Sequence, residues 1–195
     1  PQGTLFGAGS QGGTVRFISP SPVLGGDLQG YSRAEIATTR RGALTYEAGA
    51  ALGGAVVEDK VGFRLSGYTR RDGGFVDRVP YPDGNGSNPS LGFPKKDSNS
   101  VETQSARLAL TFKPTDDFAI TPSVYYQNLK SNDTAVYWES VFGTPISDRG
   151  SGRYVNGNKI ASTNKDSFVL PALKLRWDLG AVTLSSDTSY FRRRE

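Results

Sequence analysis

Apolar residues fall on every second position over long stretches of this chain. In Ala106-Arg107-Leu108-Ala109-Leu110-Thr111-Phe112-Lys113 the even positions are all apolar, and the odd ones include Arg107, Thr111 and Lys113. A period of two builds one greasy and one wet face only in extended strand. After Pro114-Thr115-Asp116-Asp117 the alternation resumes, with Phe118, Ile120, Pro122, Val124 and Tyr126 on one face and Ala119, Thr121, Ser123, Tyr125 and Gln127 on the other. This predicts a hairpin with a short turn. Further runs set Val61, Phe63 and Leu65 against Arg64, Ser66, Tyr68 and Arg70, and Val169, Leu173, Leu175 and Trp177 against Ala172, Lys174, Arg176 and Asp178. Weaker alternation covers 28–38, with Arg33 and Glu35 on one face, then 44–52, with Tyr46, Ala48 and Ala50 opposite Thr45, Glu47 and Gly49, and 181–191. The pattern predicts about seven strands and no helix. Several alternate for about ten residues, the length a tilted strand needs to cross a bilayer, whereas soluble strands peak at about five or six.

The connections fall into two kinds. Those at 54–60, 114–117 and 178–181 are short, while 71–104 and 128–167 are long, polar and rich in Gly, Asn, Asp, Ser and Pro. Short turns at one end and extended loops at the other are the asymmetry of transmembrane β-barrels. Loops this long are uncommon in a compact soluble domain. A soluble antiparallel sandwich also alternates, since one face meets a core and the other water. About seven strands cannot close a bacterial outer-membrane barrel, which uses an even number from about 8 upward. In lipid, an open sheet edge leaves backbone groups unpaired at several kcal/mol each. The pattern therefore predicts either a sandwich or a piece of a larger barrel.

Composition narrows the chemistry. The 195 residues include no Cys, no His and no Met. Disulfide scaffolds, thiol nucleophiles, Cys/His zinc sites and His-dependent triads are excluded together. No run approaches the ~20 apolar residues of a spanning helix. The net charge of +4 is interspersed, with Arg192-Arg193-Arg194 as the one basic triplet, so no nucleic-acid partner is expected. A mean hydropathy of −0.43 suits a barrel with a wet lumen and long polar loops. Residues 1–26 form a separate Gly-rich, nearly uncharged zone closing on Ser19-Pro20-Ser21-Pro22 and Gly25-Gly26, a linker or tight exit. With no Met, and Pro1 inside a Gly-rich run, the chain reads as an excerpt of a longer one.

Motifs for catalysis or cofactors fail on context. Gly7-Ala8-Gly9-Ser10-Gln11-Gly12 fits a dinucleotide fingerprint, but a strand-like run, Gly13-Thr14-Val15-Arg16-Phe17-Ile18-Ser19, stands where the helix should begin. The pairs Glu58-Asp59 and Asp116-Asp117 sit in expected turns, where Asp is favoured for local hydrogen bonds. Asn85-Gly86-Ser87 and Asn132-Asp133-Thr134 are chance matches to a glycosylation triplet. No catalytic residue, metal or cofactor is expected, and the chain does not read as an enzyme. The polar faces carry Arg33, Glu35, Glu47, Arg64, Arg107, Tyr125, Gln127, Lys174 and Arg176, which would point into a barrel lumen. Tyr31, Tyr46, Tyr126, Trp138, Trp177, Tyr190 and Phe191 are candidates for interfacial girdles, with ordinary sheet packing as the alternative.

Pro1-Gln2-Gly3-Thr4-Leu5-Phe6-Gly7, then Gly12-Gly13-Thr14-Val15-Arg16-Phe17-Ile18-Ser19 and Pro22, resembles the last segment of the plug domain of TonB-dependent outer-membrane receptors. Pro1, Gln2, Gly3, Thr4, Leu5, Gly7, Gly12 and Gly13 carry the motif; Phe6 stands where Tyr is common, and a leading Arg-Gly is absent. Val57-Glu58-Asp59-Lys60-Val61-Gly62-Phe63-Arg64, Arg71-Asp72-Gly73-Gly74-Phe75-Val76-Asp77 and Phe112-Lys113-Pro114-Thr115-Asp116-Asp117 resemble the family's early barrel hairpins. The resemblance implies the C-terminal end of a plug at 1–26 and the N-terminal part of a barrel at 27–195. The whole would be a roughly 22-stranded transmembrane antiparallel β-barrel with a plug inside, in the outer membrane of a Gram-negative bacterium. It further implies TonB-energised uptake of a scarce nutrient such as an iron–siderophore complex. The partners would be the TonB complex, reached through a box absent from this chain, outer-membrane lipid, and a small-molecule nutrient or metal chelate. The competing readings are a passive porin-like pore, a barrel enzyme, and a soluble carbohydrate-binding β-sandwich with Tyr125, Trp138 and Tyr154 as stacking platforms. As an isolated chain, the piece is expected to have unpaired edges and not to work as a transporter.

Overall fold

The period-two runs form long strands in a computed structural model, which describes residues 18–79, 95–141, 144–145, 154–158 and 160–195. The plug-like motif from Pro1 to Gly13 lies outside the described residues, as does the triplet at Asn85. In chain order the strands are β1 Gln29–Thr38, β2 Leu44–Val57, β3 Val61–Asp72, β4 Val76–Arg78, β5 Val101–Thr115, β6 Phe118–Ser131, β7 Ser140–Val141, β8 Thr144–Pro145, β9 Tyr154–Asn156, β10 Asn164–Asp178, β11 Thr183–Ser189 and β12 Arg192–Arg194. No helix occurs among the described residues.

The long strands make one 8-stranded antiparallel sheet in the order β1-β2-β3-β5-β6-β10-β11, with β12 also on β10. The pairs Ala172↔Ser189 and Val169↔Arg192 keep one register, and the Tyr190 amide donates to the Pro171 carbonyl between them at 3.0 Å. β11 and β12 are thus one strand in two segments, which gives about seven strand positions, as the alternation predicts. Each long strand pairs with the next long strand in sequence. The sheet is open between β1 and β11 among the described residues.

The strands are longer than the alternation suggests: β5 and β10 have 15 residues, β2 and β6 have 14. They overrun the expected boundaries at the loop end, where Arg70↔Thr103 and Lys130↔Lys165 remain paired. Both faces there are polar, so hydropathy stops alternating although backbone pairing continues. At the other end β2 runs on to Val57, and the turn shrinks to 58–60, with Asp59 at φ 59 and the Lys60 amide on the Val57 carbonyl at 3.0 Å. Between β5 and β6 the register shifts after Phe112, which accommodates Pro114 in a strand. The β10–β11 turn uses Gly180 at φ 83, its amide bound to the Asp178 carboxylate at 3.0 Å.

Register assigns every strand residue to a face. Tyr46, Leu52, Leu65, Leu108, Leu110, Phe112, Val124, Tyr126, Leu173 and Trp177 lie on the same side, and all are exposed. The opposite, polar side is the more enclosed one. On β5, Ala109 and Thr111 are buried while their neighbours Leu108 and Leu110 stand about 40 % exposed. A water-soluble sheet buries its apolar face; this one displays it. Ala109 is fully buried on the sheet, but the largest fully buried side chains among the described residues, Val76, Asn156 and Ser98, lie off it, in the connections that carry β4 and β9.

Candidate functional site

The polar face carries the residues that the sequence singles out. Cross-strand partners connect Arg33 to Gly49, Tyr68, Ser105 and Gln127, and Glu35 to Glu47, Arg70 and Thr103. Arg64, Arg107, Tyr125, Lys174 and Arg176 occupy the same face by the same register. The alternation alone gives this shared face, because each strand contributes one parity and antiparallel partners keep it.

Only part of that set comes together. Glu47, on β2, is the hub: its side chain is 5 % exposed, and its carboxylate pairs with Arg33 Nε and Arg70 Nη1, each at 2.8 Å. The Tyr68 hydroxyl donates to it at 3.0 Å. Arg33 also holds Glu35, and Arg70 holds Asp72 at 2.6 Å. Five charges thus alternate in sign across β1, β2 and β3, with each cation shared between carboxylates. Tyr125 instead packs on Phe168 at 5.6 Å, Phe168 packs on Phe191 at 5.2 Å, and the Tyr125 hydroxyl donates to Gln127 at 2.9 Å. Lys174 reaches Asp187 at 4.0 Å, well apart from the Glu47 hub. Arg70, Tyr68 and Asp72 complete the network without being candidate site residues of the sequence; Tyr68 and Arg70 had a signal in the polar parity of their expected strand, whereas Asp72 falls in the expected long connection and joins β3 only in the fold.

The segment leading into β1 lies on the same face. Arg107 Nη1 donates to the Pro20 carbonyl at 3.1 Å, and the Asp59 amide donates to the Leu24 carbonyl at 2.8 Å. Between them Val23 crosses Gly62, whose polar-face position would bring a Cβ within 2.1 Å of the Val23 carbonyl oxygen. Gly62 is therefore a saddle: the crossing is possible because no side chain stands there.

At the other end of the sheet the described parts of the long connections, 73–79, 95–100, 132–141, 154–158 and 160–163, form a cap. β4 pairs in parallel with β9, a strand from each connection. Asn99 Oδ1 accepts the Phe75 and Val76 amides at 2.8 and 2.9 Å, and the Ser98 hydroxyl donates to the Val76 carbonyl at 3.1 Å. The Asn132 amide donates to the Ser100 carbonyl at 3.0 Å, and Asn156 Nδ2 to the Val136 carbonyl at 3.1 Å. Gly73 and Gly74 thread this junction, and a Cβ on either would come within 2.1 Å of the Ala43 or Asp97 carbonyl oxygen.

A buried ion pair ties the two connections: Arg78 of β4 is 7 % exposed and bonded to Asp133, which is fully buried. Burial pushes the Asp133 carboxyl up. The amides of Ser162 at 3.0 Å and Thr134 at 2.9 Å, with Arg78, more than offset that and hold it below the ordinary carboxylate range. Asn132 and Asp133, which look like a chance glycosylation match in the sequence, are structural here. Their role depends on partners about 30 to 55 residues away, which no local pattern encodes.

The aromatic residues divide three ways. Tyr46, Tyr126 and Trp177 stand on the exposed apolar face, Trp177 edge-on to Phe118 at 5.9 Å. Tyr31 and Phe191 sit with the polar face. Tyr154 belongs to the cap, with Tyr137 at 4.3 Å and Phe75 edge-on at 6.0 Å, and the Trp138 amide bonds the Val155 carbonyl nearby. Tyr125 therefore lies on the sheet while Trp138 and Tyr154 lie in the cap, so the three do not form one stacking platform. No group of three or more metal-ligating side chains occurs among the described residues. Comparison with protein-family models, curated proteins and solved structures returned no match to this chain.

Proposed function

We propose that this chain is the junction between a plug and the first part of a transmembrane β-barrel, in an outer-membrane receptor that imports a scarce nutrient with energy delivered by a TonB complex. The observation that carries the reading is the inversion of the sheet. A face bearing Leu65, Leu108, Leu110, Val124, Leu173 and Trp177 is exposed, while on β2 and β5 the opposite face buries Thr45, Glu47, Ala51, Ala109 and Thr111. Displaying such a face to water forgoes about 25 cal/mol for each Å² of apolar surface, and lipid removes that cost. Along β10 the apolar run from Trp177 to Val169 is about 26 Å long at ~3.3 Å per residue, close to the ~25 Å band of such barrels.

The enclosed face supports the rest of the reading. A lumen filled by a plug needs polar, charge-balanced walls, and the Glu47 network provides one. The chain entering β1 crosses that face at Pro20 and Val23, where a segment leaving a plug would have to pass. The cap would form part of the outer rim, with Tyr137 and Tyr154 partly exposed for a bulky solute such as a metal chelate. Binding by rim and plug groups together makes release depend on moving one against the other, and the energy input would supply that step.

The test uses the full-length protein in its own cells. Recovery in the outer-membrane fraction, with uptake abolished when the proton gradient is dissipated, is the expected result. Recovery as a soluble protein would overturn the barrel, and gradient-independent uptake would favour a passive pore.

A further inference from the structure

Toward the loop end the exposed apolar face turns cationic. One row of cross-strand partners runs Arg71, Glu102, Lys130, Lys165; the next ends with Ser167 opposite Arg194, and the one below with Val169 opposite Arg192. Lys130 faces Lys165 on one side and Glu102 on the other, so the row of Arg71, Glu102, Lys130 and Lys165 holds three cations to one anion and keeps room for a further negative charge beside the lysine pair. Among the described residues, none of Lys130, Lys165, Arg192 and Arg194 forms an ion pair. Their neighbour on the opposite face does the reverse: Arg193 is held by Asp166 at 2.8 and 2.9 Å and by Glu195 at 2.6 Å. The basic triplet thus alternates, neutralised on the polar face and unpaired on the apolar one.

A cleft of about 240 Å³ opens where the two chemistries meet, lined by Tyr126, Ser167, Phe168, Val169, Arg192 and Arg194. Its apolar floor continues toward the turn end through Val124, Pro171 and Leu173. Guanidinium groups suit bidentate contact with phosphoryl oxygens, and the ammonium groups of Lys130 and Lys165 add charge within the next rows. Cations that border an apolar band, on the same face, match a ligand whose own anionic head borders its own chains.

We propose that this cleft and the Lys130–Lys165 pair bind the phosphorylated headgroup of a lipid in the loop-side leaflet, with its chains lying along Val124, Pro171 and Leu173. The site rests on the membrane reading above and adds a specific lipid partner to it. The intact protein, extracted in a mild detergent, is titrated with phosphatidic acid, phosphatidylcholine and inorganic phosphate. Phosphatidic acid should bind and phosphatidylcholine should not. Inorganic phosphate at equal concentration should fail to displace the lipid, since it gains nothing from the apolar floor. The combined substitutions Lys130→Gln, Lys165→Gln, Arg192→Gln and Arg194→Gln should weaken phosphatidic acid binding about tenfold or more. Should that variant fail to fold, Lys130→Gln with Lys165→Gln should weaken it in the same direction. Arg64→Gln with Lys174→Gln, on the opposite face, should leave it unchanged. Equal binding by the cleft variants, equal loss in the opposite-face variant, or full displacement by phosphate would overturn the site. A membrane-integrated protein that holds no phosphatidic acid overturns this inference alone, whereas recovery as a soluble protein overturns the reading beneath it.

Discussion

The Val23 carbonyl passes over Gly62 so closely that a methyl group on Gly62 would stand 2.1 Å from its oxygen. Real Cβ atoms do not make that approach, and backbone, unlike a side-chain tip, has little room to yield. Gly62→Ala should therefore push residues 20–25 off the polar face at a cost of about 1–3 kcal/mol, and weaken the Asp59–Leu24 and Arg107–Pro20 bonds. Limited proteolysis of the folded protein should detect new cleavage in 20–25, with the β2–β3 hairpin intact. Unchanged protection would mean that the segment crosses elsewhere.

Asp133→Asn should open the cap without unfolding the sheet. The amide oxygen can still accept from Ser162 and Thr134, so the substitution isolates the charge lost to Arg78. A buried guanidinium left without its partner costs about 3–5 kcal/mol. Amide exchange in β4 and β9 should accelerate to match, while exchange in β5 and β6 should not. Adding Arg78→Gln should recover part of the loss, since the orphaned charge is then removed as well.

The same carboxylate makes the cap sensitive to acid. The folded form holds Asp133 below its unfolded value, which is about 3.9. Its contribution is thus fully present above that unfolded value and is lost as pH falls through the lower folded value. Amide exchange of Val76, Val79 and Asn132 should be flat in its protection between about pH 7 and 5 and lose protection below about pH 4. In Asp133→Asn the loss should vanish from the pH profile.

Sheet, faces and turn end were legible because they depend on period two and on local turn chemistry. Leu108 and Arg107 declare their faces by parity alone, and Asp116-Asp117 marks a turn by composition. The loop-end extension was not legible, since Glu102 and Lys130 sit on the apolar parity yet are polar. The cap was not legible either: β4 and β9 are three residues each, and Val76 lies between Ser98 and Asn99 of its own connection and Tyr154 of the other. Such pairing is fixed by tertiary contact, and a three-residue strand carries too little pattern to announce it. The Glu47 hub stands between the two cases, since its face was readable but its choice of Arg33, Tyr68 and Arg70 depends on register.

Within that hub the partners are unequal. Glu47 is enclosed and serves three donors, whereas Arg33 is 65 % exposed and can return to water. Glu47→Ala should therefore lower the melting temperature of the folded protein in detergent clearly more than Arg33→Ala, with Arg70→Ala between them. Raising salt should narrow the Arg33 effect first, because exposed pairs are screened more strongly than enclosed ones. Equal effects of the three substitutions would show that the network is not centred on Glu47.

Leu108→Arg separates the membrane reading from a soluble sheet most directly. Leu108 stands 40 % exposed at the middle of the apolar face, between Leu65 on β3 and Val124 on β6. If that face meets water, an arginine there is a surface change within about 0.5 kcal/mol of neutral. If it meets hydrocarbon, the guanidinium must be carried into the bilayer, which costs about 2–4 kcal/mol near the midplane. The two environments thus predict different outcomes for the same atom-for-atom change. Refolding into vesicles and unfolding with denaturant should show the larger loss for Leu108→Arg. Ser123→Arg, on the polar face of β6, should lose less, since that face is spared lipid. Parity in the opposite sense, with Ser123→Arg the costlier, would place the hydrocarbon on the wrong side and remove the barrel from consideration.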